Sequence, residues 1–217
     1  MKSVIVYGAG GHASVVAEAI VASGDKVVGY VDDIHPERKG EVFRGVPILG
    51  GLDDLYKYLV VCNVEVAIGF GDCMSRMRLH KTLKKKAIRL TSVIHPRAVV
   101  SSHAKISEGV YIGPYAIVEA DCIVGACSII NCGANVCHGT IVGDYASICP
   151  GVNIGGNCHI GNISWVGIGT TIIEGITIGE GCYIGAGSVV VGNMPVRKKI
   201  YGVPAKVVCD VQEKYLL

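Results

Sequence analysis

The stretch from Ile123 to Val152 reads IVGACSIINCGANVCHGTIVGDYASICPGV, and its spacing decides the fold. Ile or Val returns every six residues at Val124, Ile130, Val136, Val142 and Ile148, and the same step runs without interruption down to Ile94 and up to Val190. All seventeen rungs of that ladder are Ile or Val, self-similarity of the kind that marks a solenoid. Four residues after each rung stands a second series, including Ala104, Ala116, Ser128, Ala134, Thr140, Ala146, Ser164 and Ser188, nearly all small. A branched aliphatic fills a narrow interior, and a small residue fits where the backbone turns a corner. Each six-residue unit therefore gives one short strand and one turn, and three units make a coil of a three-sided prism with somewhat more than five coils. Glycines directly after a rung, such as Gly113, Gly125, Gly143, Gly155, Gly161, Gly167, Gly179 and Gly185, are expected to ease the turn.

Counting in eighteens stacks residues one coil apart, about 4.8 Å along the prism axis. Gly133, Gly151, Gly169 and Gly187 fall in one column, where the absence of side chains leaves room for an extended ligand arm to lie on the backbone. Corners that simply prefer glycine would give the same column. Cys122, Cys127, Cys132 and Cys137 recur every five residues and so rotate against the six-residue repeat. They are expected to be small structural thiols and not to gather on a metal.

Before Ile94 the pattern is that of an α/β domain. Ser3–Tyr7 reads as a buried parallel strand, Gly8-Ala9-Gly10-Gly11-His12 as a turn, Ala13 to Ser23 as a helix and Lys26 to Val31 as a second strand ending in Asp32-Asp33. A third strand, Val64 to Ile68, leads through Gly69 and Asp72 into a helix carrying Arg76 and Arg78. A glycine turn opening a helix offers unpaired N–H groups to a phosphate, and an acid at the tip of the next strand suits a ribose or base hydroxyl. A lone glycine fingerprint is weak evidence for a dinucleotide, and about ninety residues are too few for a complete dehydrogenase. The division expected is a Rossmann-like domain over residues 1–91 and a β-helix over residues 92–217, joined without a flexible linker.

Composition narrows the classes further. The 217 residues carry a formal charge of +2, 18% charged residues and 30 glycines. The one basic run, Lys84 to Lys86, reads as a solvated helix face, so neither nucleic acid nor an anionic membrane is an expected partner. No secretory signal or apolar segment of about 20 residues is visible, and a cytoplasmic protein with reduced thiols is expected.

The ladder resembles the left-handed parallel β-helix of the hexapeptide-repeat acyltransferases. That resemblance implies homotrimers with active sites between subunits and acetyl-CoA as co-substrate in the groove between prisms. The segment Tyr201-Gly202-Val203-Pro204-Ala205-Lys206 resembles the tail of the superfamily, where the basic residue, here Lys206, approaches the nucleotide end of CoA. Asn131-Cys132-Gly133-Ala134-Asn135-Val136-Cys137-His138-Gly139 resembles the catalytic turn of the nucleotide-sugar N-acetyltransferases of bacillosamine and perosamine synthesis, a group within the sialic acid O-acetyltransferase-like superfamily. It implies His138 as general base and Asn131 as its companion. Gly156, one coil beyond, is then a donor toward the thioester oxygen, and Gly151, Ile168, Gly169 and Gly187 line the CoA path. The Gly-Ala-Gly-Gly-His string and the acid pair resemble the substrate-binding loop of the same enzymes. Gly10, Gly11 and His12 would then hold the diphosphate or sugar and Asp32 and Asp33 the uridine side, with Gly69 and Arg76 completing the pocket.

Two departures stand out. The acid that follows the histidine in that pattern is Gly139 here, and a second histidine nine residues on is Ser147, so Asp144, from the same or an adjacent subunit, is the candidate to replace the missing acid. The function implied is acetyl transfer to the amine of a nucleotide-linked sugar, a UDP-linked 4-amino-4,6-dideoxyhexose first. The rivals are sialic acid O-acetylation, a non-catalytic nucleotide-sugar or CoA-binding scaffold, and a metal-dependent hydratase.

Overall fold

The computed structural model describes residues 1–212. The N-terminal domain begins with β1 (Ser3–Tyr7), α1 (Gly11–Ala22) and β2 (Lys26–Val31). A short hairpin follows, β3 (Val42–Phe43) and β4 (Val46–Pro47), then α2 (Leu52–Val61), β5 (Glu65–Ile68) and α3 (Cys73–Lys85). The sheet order is β2-β1-β5, parallel throughout. Helices cover both faces of such a sheet, and β1 is accordingly buried from Val4 to Tyr7, a continuous apolar run. Asp72 caps α3, its carboxylate accepting the Ser75 N–H at 2.7 Å. The hairpin turns through Arg44 and Gly45, both with positive φ, and α2 had no sequence signal strong enough to be expected.

From Val93–Ile94 to Val189–Val190 the chain forms seventeen two-residue parallel strands on three faces, with no projecting loop. Each rung from Ile112 to Val190 is buried, and so is each small residue four positions on from Val110 to Ser188. The buried hydroxyls among these are satisfied: Ser128, Thr140, Ser164 and Thr170 donate to the carbonyls of Gly143, Gly155, Gly179 and Gly185 in the next coil.

The turn chemistry differs from the sequence expectation. The left-handed residue is the third after each rung, at every step from Gly109 to Gly187, and it is occupied by Tyr115, Asp121, Cys127, Tyr145, Asn157 and Ile163 as well as by glycine. Glycines directly after a rung serve close approach instead. A Cβ on Gly155 would lie 2.5 Å from the Glu174 nitrogen and one on Gly113 2.7 Å from that of Cys132, both in the coil above.

The faces are named here by one residue each. The Ser147 face turns at the glycine corner (Gly133, Gly151, Gly169, Gly187) into the Asn135 face. That face turns at the His138 corner into the Ile141 face, which returns to the Ser147 face through the Tyr145 corner. The N-terminal domain covers the lower part of the Ser147 face and the Tyr145 corner: Tyr111 and Ile129 pack with α1, and Cys127 and Tyr145 with the core beneath α3. The upper end of the prism is closed by the antiparallel pair Lys198–Gly202 and Ala205–Asp210.

Candidate active site

His138 is the second residue of its turn and is exposed. Its N–H donates to Glu119 Oε2 at 2.8 Å, and its carbonyl accepts the Asn157 N–H at 2.8 Å. The imidazole lies over Gly156, where an added Cβ would sit 2.6 Å from the ring. Stacking in eighteens thus places Gly156 directly above His138, as expected, and gives the glycine a reason: any side chain there displaces the ring.

Beside this corner a shallow groove of about 560 Å³ runs up the Asn135 face, lined by Ile117, Asn135, Asn153 and Thr171 and bounded by Glu119 and Glu174. Asn135 donates to Asn153 at 2.7 Å, and Asn153 donates to the Gly151 carbonyl at 3.2 Å. The far side of that face is the glycine corner. There Gly133, Gly151, Gly169 and Gly187 all have φ between 65 and 69° and nothing within 4 Å of an added Cβ. Their N–H groups donate to Pro114, Cys132, Pro150 and Ile168 carbonyls of the coil below. The column therefore offers the room expected of it, while its N–H groups are engaged within the prism. Ile168 projects beside it, 60% exposed, and Lys206 is exposed on the closing hairpin.

In the N-terminal domain, α1 starts at Gly10 without a side-chain cap and without an acid in its first turn. Gly10 and Gly11 have open space where a side chain would stand, so an anion meets no steric or charge obstacle there. His12 Nε2 and Tyr111 Oη are buried polar atoms with no partner among the described residues, and their rings meet edge to face at 5.2 Å. Burial, reinforced by the positive charge of Arg76, holds the His12 imidazole down to about 4; burial pushes the Tyr111 hydroxyl up to about 12.

The acid pair is already engaged. Asp32 accepts the Ile34 and His35 N–H groups and pairs with Arg38 at 3.0 Å, while Asp33 accepts from the Tyr7 hydroxyl and the Leu52 N–H. Arg38, not anticipated from sequence, also donates to the Ala9 carbonyl and so ties the glycine turn to Asp32. Its only sequence signal is a lone arginine six residues after the acid.

Several expectations are corrected. Arg76 does not line a nucleotide pocket: it is 1% exposed in the domain seam, where it donates to the carbonyls of Gly71, Cys127, Tyr145 and Ala146 and to Ser147 Oγ. Ser147 belongs to that seam and is remote from the His138 corner. Gly69 is required by packing, since a Cβ would lie 2.6 Å from Val6 and 2.9 Å from Ala13; the open glycine of that loop is Gly71. Asn131 stands at the glycine corner, its Oδ1 accepting the Cys132 N–H, at the opposite end of the Asn135–Val136 strand from His138. Asp144 stands at the Tyr145 corner and accepts the Ala126 N–H at 2.7 Å, so it does not reach His138 within the chain. Cys122 and Cys127 are buried as expected, whereas Cys132 is exposed.

Comparison with known proteins adds five matches to this geometry. Residues 3–83 match the PglD N-terminal domain and residues 157–192 the bacterial transferase hexapeptide, six repeats. GDP-perosamine N-acetyltransferase of Escherichia coli O157:H7 is 28% identical over 150 residues, which span 68% of this chain and 65% of that protein. A histidine-to-asparagine mutant of perosamine N-acetyltransferase from Caulobacter crescentus, solved with CoA and GDP-perosamine, superposes with a TM-score of 0.91 at 33% identity, covering 97% of this chain and 98% of its own. The acetyltransferase domain of PglB from Neisseria gonorrhoeae, solved with acetyl coenzyme A, gives 0.87 at 30% identity over 95% and 99%. With both domains matched and the fold shared along nearly its whole length, the chain belongs to the hexapeptide-repeat acetyltransferases with a PglD-type N-terminal domain.

Proposed function

We propose that the protein transfers an acetyl group from acetyl-CoA to the amine of a nucleotide-linked 4-amino-4,6-dideoxyhexose, in a homotrimer whose active sites lie between neighbouring prisms. The observation that carries this reading is the placement of His138. The nucleotide-binding turn Gly8–His12 packs on the Ser147 face, and His138 occupies the one prism corner that does not border that face. A substrate held by the N-terminal domain of one chain therefore meets the His138 corner of a second copy, and only a second copy brings Asn131 toward His138. The CoA and GDP-perosamine complexes of the relatives support the two substrate classes.

In this reading the groove of the Asn135 face and the open glycine corner, with Ile168 beside it, take the pantetheine arm, and Lys206 meets the nucleotide end. Gly10, Gly11 and the unpartnered His12 Nε2 hold the diphosphate or sugar, with Asp32, Asp33 and Arg38 on the nucleoside side. The sugar nitrogen forms a bond to the thioester carbonyl carbon as the C–S bond breaks, and His138 takes the ammonium proton and passes it to the departing thiolate. The Gly156 N–H stands over the imidazole as donor to the carbonyl oxygen. The relatives' GDP-linked sugar ranks beside the UDP-linked sugar as first substrate to try.

Thiol release from acetyl-CoA, measured with UDP-, GDP- and dTDP-linked 4-amino sugars and with free sialic acid, tests the substrate class. With the best substrate, His138→Ala is expected to lower kcat by on the order of 10²–10⁴. An unchanged rate rejects the base assignment, and turnover confined to sialic acid rejects nitrogen as the acceptor.

A further inference from the structure

We propose that Glu119 is the positioning residue of His138, taking the place of the acid that the sequence pattern puts at residue 139. The inference rests on the reading of His138 as the base, and it starts from a recurring need of the prism. The second residue of a turn presents a main-chain N–H that the strand ladder does not use. At the Tyr145 corner this N–H is taken by a side chain one coil up: Ala126 donates to Asp144 at 2.7 Å and Asp144 to Asn162 at 2.9 Å. At the His138 corner the residue one coil up is Gly156, which has no side chain to offer and must have none, because the imidazole fills its space.

The staple therefore comes from the coil below, where Glu119 Oε2 accepts the His138 N–H at 2.8 Å. Residue 139 cannot supply it. Gly139 has φ 65°, and an added Cβ would collide with Asn157 Oδ1, so an acid there requires both a left-handed side-chain residue and a displaced asparagine. Asn157 closes the other side of the turn by donating its N–H to the His138 carbonyl. Glu119 itself lines the groove beside Cys137 and Asn135. A charge-assisted bond to a main-chain N–H is short and directional, and it fixes the turn from which the ring projects. Loss of that hold moves the base relative to the sugar amine without removing a contact to the sugar, so the effect belongs in kcat and not in KM for the amino sugar.

The test uses the full chain with the amino-sugar substrate established above and four variants. Glu119→Ala is expected to lower kcat about tenfold with KM for the amino sugar within about twofold of the parent. Glu119→Gln keeps an acceptor oxygen at the same reach and loses the charge; Glu119→Asp keeps the charge and loses the reach. Gln near the parental kcat with Asp as slow as Ala supports the proposal, and this pair remains informative if the Ala variant folds poorly. Asp near the parent with Gln slow, or all three at the parental kcat, overturns it. His138→Ala separates the two readings: if it is inactive while the Glu119 variants are unimpaired, the base assignment stands and the positioning role falls; if it retains the parental rate, the base reading itself has failed.

Discussion

In the prism a strand is two residues long and its parallel partner arrives eighteen residues later, whereas in the β2-β1-β5 sheet strands of four to six residues are paired through intervening helices. Glycine marks the difference. After eight of the prism rungs it allows one coil to rest on the next, as at Gly155, while in the N-terminal domain Gly69 lets the chain leaving β5 pass against α1, and Gly10 and Gly11 leave the mouth of α1 open. The prism is thus a rigid rule repeated, and the N-terminal domain is a set of individual contacts. The two meet in a seam held by a buried guanidinium that donates to main-chain carbonyls of the prism and to Ser147.

The largest expected effect is at that seam. Arg76→Ala strands the Cys127 and Tyr145 carbonyls and is expected to cost about 3–5 kcal/mol in urea unfolding. A parental midpoint would mean that the seam contributes nothing and that the domains are stable independently. A second effect comes from His12. Its folded pKa is about 4 against 6.5 for the free side chain, so the folded state excludes a proton that the unfolded chain accepts. Stability is then complete above pH 6.5 and falls by roughly 3 kcal/mol as pH drops toward 4. Thermal melts across that window check the slope, and His12→Gln is expected to flatten it.

The smaller effects divide the two glycine roles within the prism. Gly155→Ala presses a methyl group on the Glu174 nitrogen and is expected to cost about 2–3 kcal/mol. Gly151→Ala meets open space and incurs only the left-handed penalty, about 1 kcal/mol; the Tyr, Asp, Cys, Asn and Ile residues already at equivalent turns show that the site tolerates a side chain. Calorimetric melting of the pair distinguishes them, and equal losses would erase the distinction.

Much of this was open to reading from residue order. The rungs, the small residues of the second series, the glycine column and the Gly156–His138 stack follow from a period that places the same residue class in the same environment each time. The left-handed turn position was hidden because Tyr115, Asp121, Cys127, Tyr145, Asn157 and Ile163 share it with glycine, so no single residue type announces it. Arg76 gave no sign of its fate. From residue order it reads as part of the nucleotide pocket, because the partners that bury it lie 51 to 71 residues away in the prism. Glu119 escaped notice for a related reason, since the acid expected near the histidine was sought beside it in the chain and stood instead one coil below.

The sequence by itself determined that residues 94–190 coil every eighteen positions, which side chains point inward, and that a glycine turn opens the first helix, because these depend on local sterics and on a hydrophobic period repeated at short range. Only the tertiary structure decided which face of the prism the N-terminal domain packs on, that Arg76 is consumed in doing so, and that His138 is left at the corner facing away from the Gly8–His12 turn of its own chain. Those outcomes depend on the fit of two surfaces distant in the chain, which no periodicity in either of them specifies.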